Sequence, residues 1–212
     1  MRAIGVRSYI AFRGSVRHSR RAATGADRRI VNGPLKKTVV LIGMMGAGKT
    51  AVGGQMARIL GVPFMDSDDE IEKAANMTVA EIFARDGEAF FRRKESQVLT
   101  RLLAGRPAVL STGGGAFMQT ANREMISARG VSVWLKADLE LLWERVRHRG
   151  TRPLLNTPDP RGALRRLIEE RGPVYALADI TVEAMPGHSI ETTASRVIAA
   201  LESRPDVLER RG

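Results

Sequence analysis

The stretch that most constrains this chain lies between residues 38 and 60. There Thr38-Val-Val-Leu-Ile42 runs into Gly43-Met-Met-Gly46-Ala47-Gly48-Lys49-Thr50, and an apolar-periodic segment follows to Leu60. The order reads as strand, glycine loop and helix, and the loop fits the phosphate-binding pattern G-x-x-x-x-G-K-[ST]. Successive backbone N–H groups can wrap a polyphosphate only where the chain turns tightly and comes close, which Gly43, Gly46 and Gly48 permit. A helix starting at Lys49 turns unpaired N–H groups and the positive end of its dipole toward the same anion. Lys49 adds a mobile cation for the β and γ phosphates, and Thr50 offers a hydroxyl to Mg²⁺. An unliganded glycine-rich turn shares the composition but does not account for four fixed positions between a strand and a helix. Nucleotide phosphate binding follows.

A chain of 212 residues, 43% of them hydrophobic, can bury a core around such a loop, and one globular domain with tails is expected. No uninterrupted apolar stretch approaches the roughly 18 residues a membrane helix needs, and no signal-peptide core is present. Without cysteine there is no disulfide, thiolate metal site or thiol catalysis, and His18, His148 and His188 show no zinc spacing. The net charge of +11 is concentrated at one end. Residues 1–37 hold ten Arg or Lys against Asp27 alone, which leaves 24 bases and 22 acids for residues 38–212. The core is thus nearly neutral, and a nucleic-acid role would rest on the tail. That extension, poor in acids and without apolar period, is expected to be disordered in isolation. A tail without specific role, or an upstream start codon wrongly chosen, is the favoured reading. A transit peptide and an anion-binding arm are the alternatives.

Beyond Gly61, Val62-Pro-Phe-Met65 reads as a second strand delivering Asp66-Ser67-Asp68. Ser67 with Glu70 fits a capping box, while two carboxylates leaving a parallel strand would also point into the crevice where such sheets bind ligands. Thr78 and Glu81 make another capping box, opening a helical region interrupted at Asp86-Gly87 and closed by Gly105. On it, Arg92 and Glu95 stand at i, i+3, either an exposed ion pair or an anion clamp braced by a carboxylate. A third strand, Ala108-Val-Leu110, runs into Ser111-Thr112-Gly113-Gly114-Gly115. Three glycines at a strand's end are entropically costly, and close approach of backbone N–H groups to a ligand accounts for both their number and their place. A helix at 121–129, a strand at 131–135 and a helix capped by Asp138 to about Arg149 follow. Residues 150–158, carrying Arg152, form either a connecting loop or a lid that excludes water from the γ-phosphate. Asp159 and Pro160 restart a helix that Arg171 should end, just before Gly172. Ile180–Glu183 is a fifth strand, Ser189 caps a helix to about Glu202, and residues 204–212 should fray.

In this order the pieces resemble shikimate kinase, a small P-loop kinase family of the nucleoside-monophosphate-kinase fold. The match covers about residues 38–202. It rests on the phosphate loop, Asp66-Ser-Asp68, Phe91-Arg92-x-x-Glu95, Thr112-Gly-Gly-Gly115, Arg152-Pro-Leu-Leu155 and Arg171-x-Pro-x-Tyr175. The resemblance implies a three-layer α/β/α fold with a five-stranded parallel sheet in the order 2-3-1-4-5 and a lid. It implies transfer of the ATP γ-phosphoryl group to the 3-hydroxyl of shikimate. ATP would be held by Gly46, Ala47, Gly48, Lys49, Thr50 and Ala51, with Arg152 over the phosphates and Arg145 and His188 near adenine. Thr50 and Asp66 would hold Mg²⁺. Asp68, as base or orienting group, would face the shikimate hydroxyls, and with Lys49 and Arg152 make up the catalytic set. Arg92, braced by Glu95, and Arg171 would grip the carboxylate, since paired guanidinium donors suit that geometry, and the Gly114 and Gly115 amides would touch the ring. Thr50 stands where many relatives have Ser, and the basic extension before residue 38 is absent from compact members. A monomer in the cytoplasm is expected, with ATP and shikimate as small-molecule partners and no membrane or nucleic-acid role. Two rivals remain: a gluconate or nucleoside-monophosphate type of kinase, and a nucleotide-dependent module that binds nucleic acid through its arm.

Overall fold

Five consecutive residues, Thr38–Ile42, are buried along their whole length, so the strand they form (β1) must be covered on both faces. In the computed structural model, which describes residues 35–148 and 153–209, β1 is the middle strand of a five-stranded sheet. The other strands are β2 (Phe64–Asp66), β3 (Val109–Ser111), β4 (Gly130–Lys136) and β5 (Ile180–Glu183). Every pairing is parallel and the order is β2-β3-β1-β4-β5, as the resemblance implied. Parallel neighbours need crossovers, and helices supply them: α1 (Lys49–Leu60), α2 (Ser67–Ala75), α3 (Val79–Leu103), α4 (Thr120–Arg129), α5 (Leu139–Val146), α6 (Pro160–Tyr175) and α7 (Ile190–Leu201). The apolar faces of strands and helices meet in one large core, and a smaller cluster of Ile71, Ile82 and Phe91 sits between α2 and α3. No helix among the described residues is long and apolar enough to cross a membrane.

Register fixes where chemistry can occur. Asp66 lies opposite Ser111, Leu41 opposite Ser111 on the other side, and Ile42 opposite Trp134, so β2, β3, β1 and β4 end along one edge. The glycine loop, the acidic pair and the glycine triplet all leave from that edge, the usual ligand-binding side of an open α/β sheet.

Several local expectations are corrected. Asp66, not Ser67, caps α2, its Oδ1 accepting the Asp68 N–H at 3.0 Å; Ser67 is the first helical residue and fully buried. The strand ends one residue later than its apolar run because Asp66 still pairs with Ser111. The Thr78–Glu81 capping box forms as expected, and so does the interruption: Gly87 is non-helical (φ 78°, ψ 170°), so α3 consists of two helical stretches joined at a kink. Arg171 does not end its helix: α6 continues through Gly172 and Pro173 to Tyr175, which is 1% exposed and holds the last turn against the core. The described part of the C-terminal tail does not fray. Val207 and Leu208 are fully buried, Leu208 bridges Leu35, and the Lys36 N–H bonds the Val207 carbonyl at 2.8 Å. The folded unit therefore begins before residue 38 and runs past 203. Of the expected lid at 150–158, residues 153–158 are described and begin with a 3-10 turn at Pro153–Leu155; Arg152 and residues 1–34 lie outside the described residues.

Candidate active site

The loop between β1 and α1 takes its shape from two left-handed glycines. Gly46 (φ +85°) and Gly48 (φ +94°) allow the chain to turn into α1, and a Cβ on Gly46 would lie 2.8 Å from the Val146 side chain. Lys49 Nζ folds back to donate to the carbonyls of Gly43 and Met44 at 2.8 and 3.0 Å. Thr50 and Ala51 occupy the first turn of α1, with their N–H groups at the helix's positive end. Arg145, from α5, donates to the Gly46 carbonyl at 3.2 Å. These residues line a cleft of about 690 Å³ that extends one way to Asp66, Asp68 and Ser111–Gly114, and the other way to Ala184, His188, Ser189, Ile190 and Thr193. His188 Nδ1 stands 3.2 Å from an Arg196 guanidinium nitrogen. Arg145 and His188 thus both line this cleft.

Thr50 and Asp66 are brought together by the strand register. The Thr50 hydroxyl donates to Asp66 Oδ2 at 2.9 Å, and Ser111 Oγ lies 3.4 Å from it. All three are hard oxygen donors beside the phosphate loop, the set that suits Mg²⁺, which takes one or two protein ligands and fills its shell with phosphate oxygens and water.

Asp68 points the other way, toward the glycine triplet. Burial pushes its pKa up to about 6, the Asp66 charge adding to the rise and Lys49 opposing it. Its Oδ1 is buried without a protein partner. A Cβ on Gly113 would lie 2.8 Å from Asp68 Oδ1 and 2.9 Å from Glu95 Oε1, so only glycine lets the two carboxylates close on this turn. Glu95 is fully buried and accepts from Arg92 at 2.9 Å; burial pushes its pKa up to about 7, with Arg92 limiting the rise. A Cβ on Gly115 would overlap the Arg92 guanidinium, while one on Gly114 would meet Arg171 at 3.5 Å and the Tyr175 oxygen at 3.6 Å. The triplet is therefore ringed by Asp68, Glu95, Arg92, Arg171 and Tyr175, drawn from α2, α3 and α6. Arg171 is 8% exposed and its Nε has no protein partner.

Of the residues singled out from sequence, all but Arg152 are placed in or beside one cleft. Two neighbours went unassigned. Glu88 binds Arg92 Nε and NH2 at 3.2 and 2.9 Å, one turn before it, an i, i+4 pair lying wholly on the helical stretch after the Gly87 kink and so legible in the sequence. Tyr175 donates to the Gly114 carbonyl and packs against Trp134, the tilted rings 5.9 Å apart between centres; the Arg171-x-Pro-x-Tyr175 pattern contains it, but Gly172 and Pro173 point to a helix end before it.

Comparison with known proteins agrees with this geometry. A family model described as shikimate kinase matches residues 45–202. A shikimate kinase of Cereibacter sphaeroides is 66% identical over 190 residues, 90% of this chain and 95% of that one. A shikimate kinase of Ruegeria pomeroyi is 66% identical over 175 residues, 82% and 90% of the two chains. The solved structure of a shikimate kinase from Acinetobacter baumannii in complex with shikimate aligns with a TM-score of 0.76 at 39% identity, covering 79% of this chain and 93% of that one. Matched by that family model over residues 45–202 and by relatives of this identity over most of its length, the chain belongs to the shikimate kinase family.

Proposed function

We propose that this chain transfers the γ-phosphoryl group of ATP to the 3-hydroxyl of shikimate, giving shikimate 3-phosphate and ADP. One observation carries the reading: a carboxylate, Asp68, and two guanidiniums, Arg92 and Arg171, converge on the same three glycines at the open end of a phosphate loop. A small acceptor with a carboxylate at one end and hydroxyls at the other fits that distribution of charge.

In this reading the N–H groups from Gly46 through Ala51 and the Lys49 ammonium hold the β and γ phosphates, and Arg145 and His188 flank the adenine end. Thr50 and Asp66 would hold Mg²⁺, which would supply positive charge to offset that of the phosphates. Arg92 and Arg171 bind the acceptor's carboxylate, and Glu95 keeps Arg92 in place. That anchoring turns the 3-hydroxyl toward Asp68, which at neutral pH is mostly ionised and accepts its hydrogen bond. The hydroxyl oxygen bonds to the γ-phosphorus as the bond to the β,γ-bridging oxygen breaks, and the hydroxyl proton leaves. Asp68 either takes that proton or holds the oxygen in line, since positioning and charge dominate phosphoryl transfer. Arg152 is assigned to the phosphates from the lid. The reading includes ATP and shikimate as small-molecule partners, a monomeric cytoplasmic protein, and no nucleic-acid role, because residues 38–212 are nearly neutral.

The test is ADP release by the full-length protein with Mg²⁺ and ATP, comparing shikimate, gluconate and AMP as acceptors. Release with shikimate alone is expected. Equal release with gluconate or AMP would overturn the acceptor assignment.

A further inference from the structure

The glycine triplet is held at two points by side chains with no assigned role. At one end the Gly113 N–H donates to Ser67 Oγ at 3.2 Å. At the other the Tyr175 hydroxyl donates to the Gly114 carbonyl. Both side chains are buried, Ser67 fully and Tyr175 at 1% exposure, so neither bond competes with water. The peptide bonds are trans among the described residues, which places each carbonyl opposite the N–H of the next residue. The Gly114 carbonyl points to Tyr175, so the Gly115 N–H points away from that side chain. The Gly113 carbonyl accepts from Ala116 at 3.1 Å, which turns the Gly114 N–H away from that turn. No acceptor among the described residues takes either N–H. Two adjacent unpaired donors beside a cleft that Gly114 lines are a ready-made site for a hydroxyl or carboxylate oxygen.

We propose that Tyr175 and Ser67 are positioning residues that fix the Gly113–Gly115 backbone with the Gly114 and Gly115 N–H groups turned to the acceptor substrate. This inference rests on the shikimate reading above. Tyr175 also lies one helical turn beyond Arg171, so a single residue ties the glycine backbone to the helix that carries the second guanidinium. Burial raises the phenol's pKa, which keeps it a donor throughout the working pH range.

The experiment compares wild type, Tyr175→Phe, Ser67→Ala and Leu164→Val in steady-state ADP release, with thermal midpoints measured alongside. Leu164 is fully buried on the same helix and serves as a packing control. Each of the first two variants should raise the shikimate KM about tenfold, as the loss of one orienting hydrogen bond implies, and leave the ATP KM within about twofold. Leu164→Val should lower the midpoint without moving either KM. An unchanged shikimate KM in Tyr175→Phe, or an ATP KM that rises in step, overturns the proposal. Should Tyr175→Phe not fold, Ser67→Ala decides by the same criterion. Absence of shikimate-dependent turnover in the wild type overturns the functional reading and this inference with it, whereas normal wild-type turnover with unmoved variant KM values overturns the positioning role alone.

Discussion

Replacing Glu95 by Gln separates the two consequences of its buried carboxylate. The side chain is 0% exposed, one oxygen bonded to Arg92 at 2.9 Å and the other without a protein partner. Burial, only partly offset by Arg92, raises its pKa from 4.5 to about 7. Between those values the folded protein keeps a proton that the unfolded chain releases. The stability this contributes is fully present below about 4.5 and is lost as pH rises through about 7. At ~1.4 kcal/mol per pH unit, the interval amounts to about 3 kcal/mol in favour of a neutral group by pH 8. Gln has the same shape and cannot ionise. The variant should therefore be more stable than wild type by about 1–3 kcal/mol at pH 8, with the difference shrinking toward pH 5. Function should move the opposite way. With a neutral amide oxygen replacing the charge-assisted bond, and the exposed Glu88 as its remaining carboxylate partner, Arg92 is less firmly oriented, and the shikimate KM should rise about tenfold. Urea unfolding at pH 5 and 8, together with acceptor kinetics, tests both halves. A variant less stable than wild type at pH 8 would show that the ion pair outweighs burial, and an unchanged shikimate KM would refute the bracing role.

Three other outcomes follow from the site and the core. Asp68→Asn should lower kcat by about two to four orders of magnitude while ATP binding, followed by calorimetry, is retained; in wild type, kcat/KM should fall as pH drops through about 6, where Asp68 takes up a proton. Arg92→Ala should raise the shikimate KM at least about tenfold and leave the ATP KM nearly unchanged, equal losses for both substrates being the outcome that contradicts a carboxylate role. Leu208→Ala should destabilise the protein by about 2–4 kcal/mol in urea unfolding, because its side chain is fully buried in the core; an effect within error would mean that the C-terminal strap contributes little.

The parts of this fold legible in the sequence are those set by local chemistry. The β1 apolar run, the glycine loop, the Thr78–Glu81 box and the Asp159–Pro160 start each satisfy their own backbone needs within a few residues, so their meaning survives removal from context. The misread points are those where a distant partner overrides a local rule. Gly172-Pro173 should stop a helix, but Tyr175 gains a buried site and a carbonyl partner by continuing it. Residues 204–209 look like a polar tail, yet Val207 and Leu208 complete a core and pair with Leu35, some 170 positions away.

The candidate site divides along the same line. Sequence alone supplied its inventory, a phosphate loop, two acids, three glycines and two spaced arginines: the loop through its own chemistry, the rest through their order and spacing in the pattern that resembles the family. Only the tertiary structure decided which of them share a surface. Parallel pairing sets Asp66 beside Ser111 and within reach of Thr50, and packing of α3 and α6 around the triplet brings Arg92, Glu95 and Arg171 to Asp68. Burial at that meeting point is what raises the two carboxylate pKa values, and burial is a property of the assembled fold rather than of any one segment.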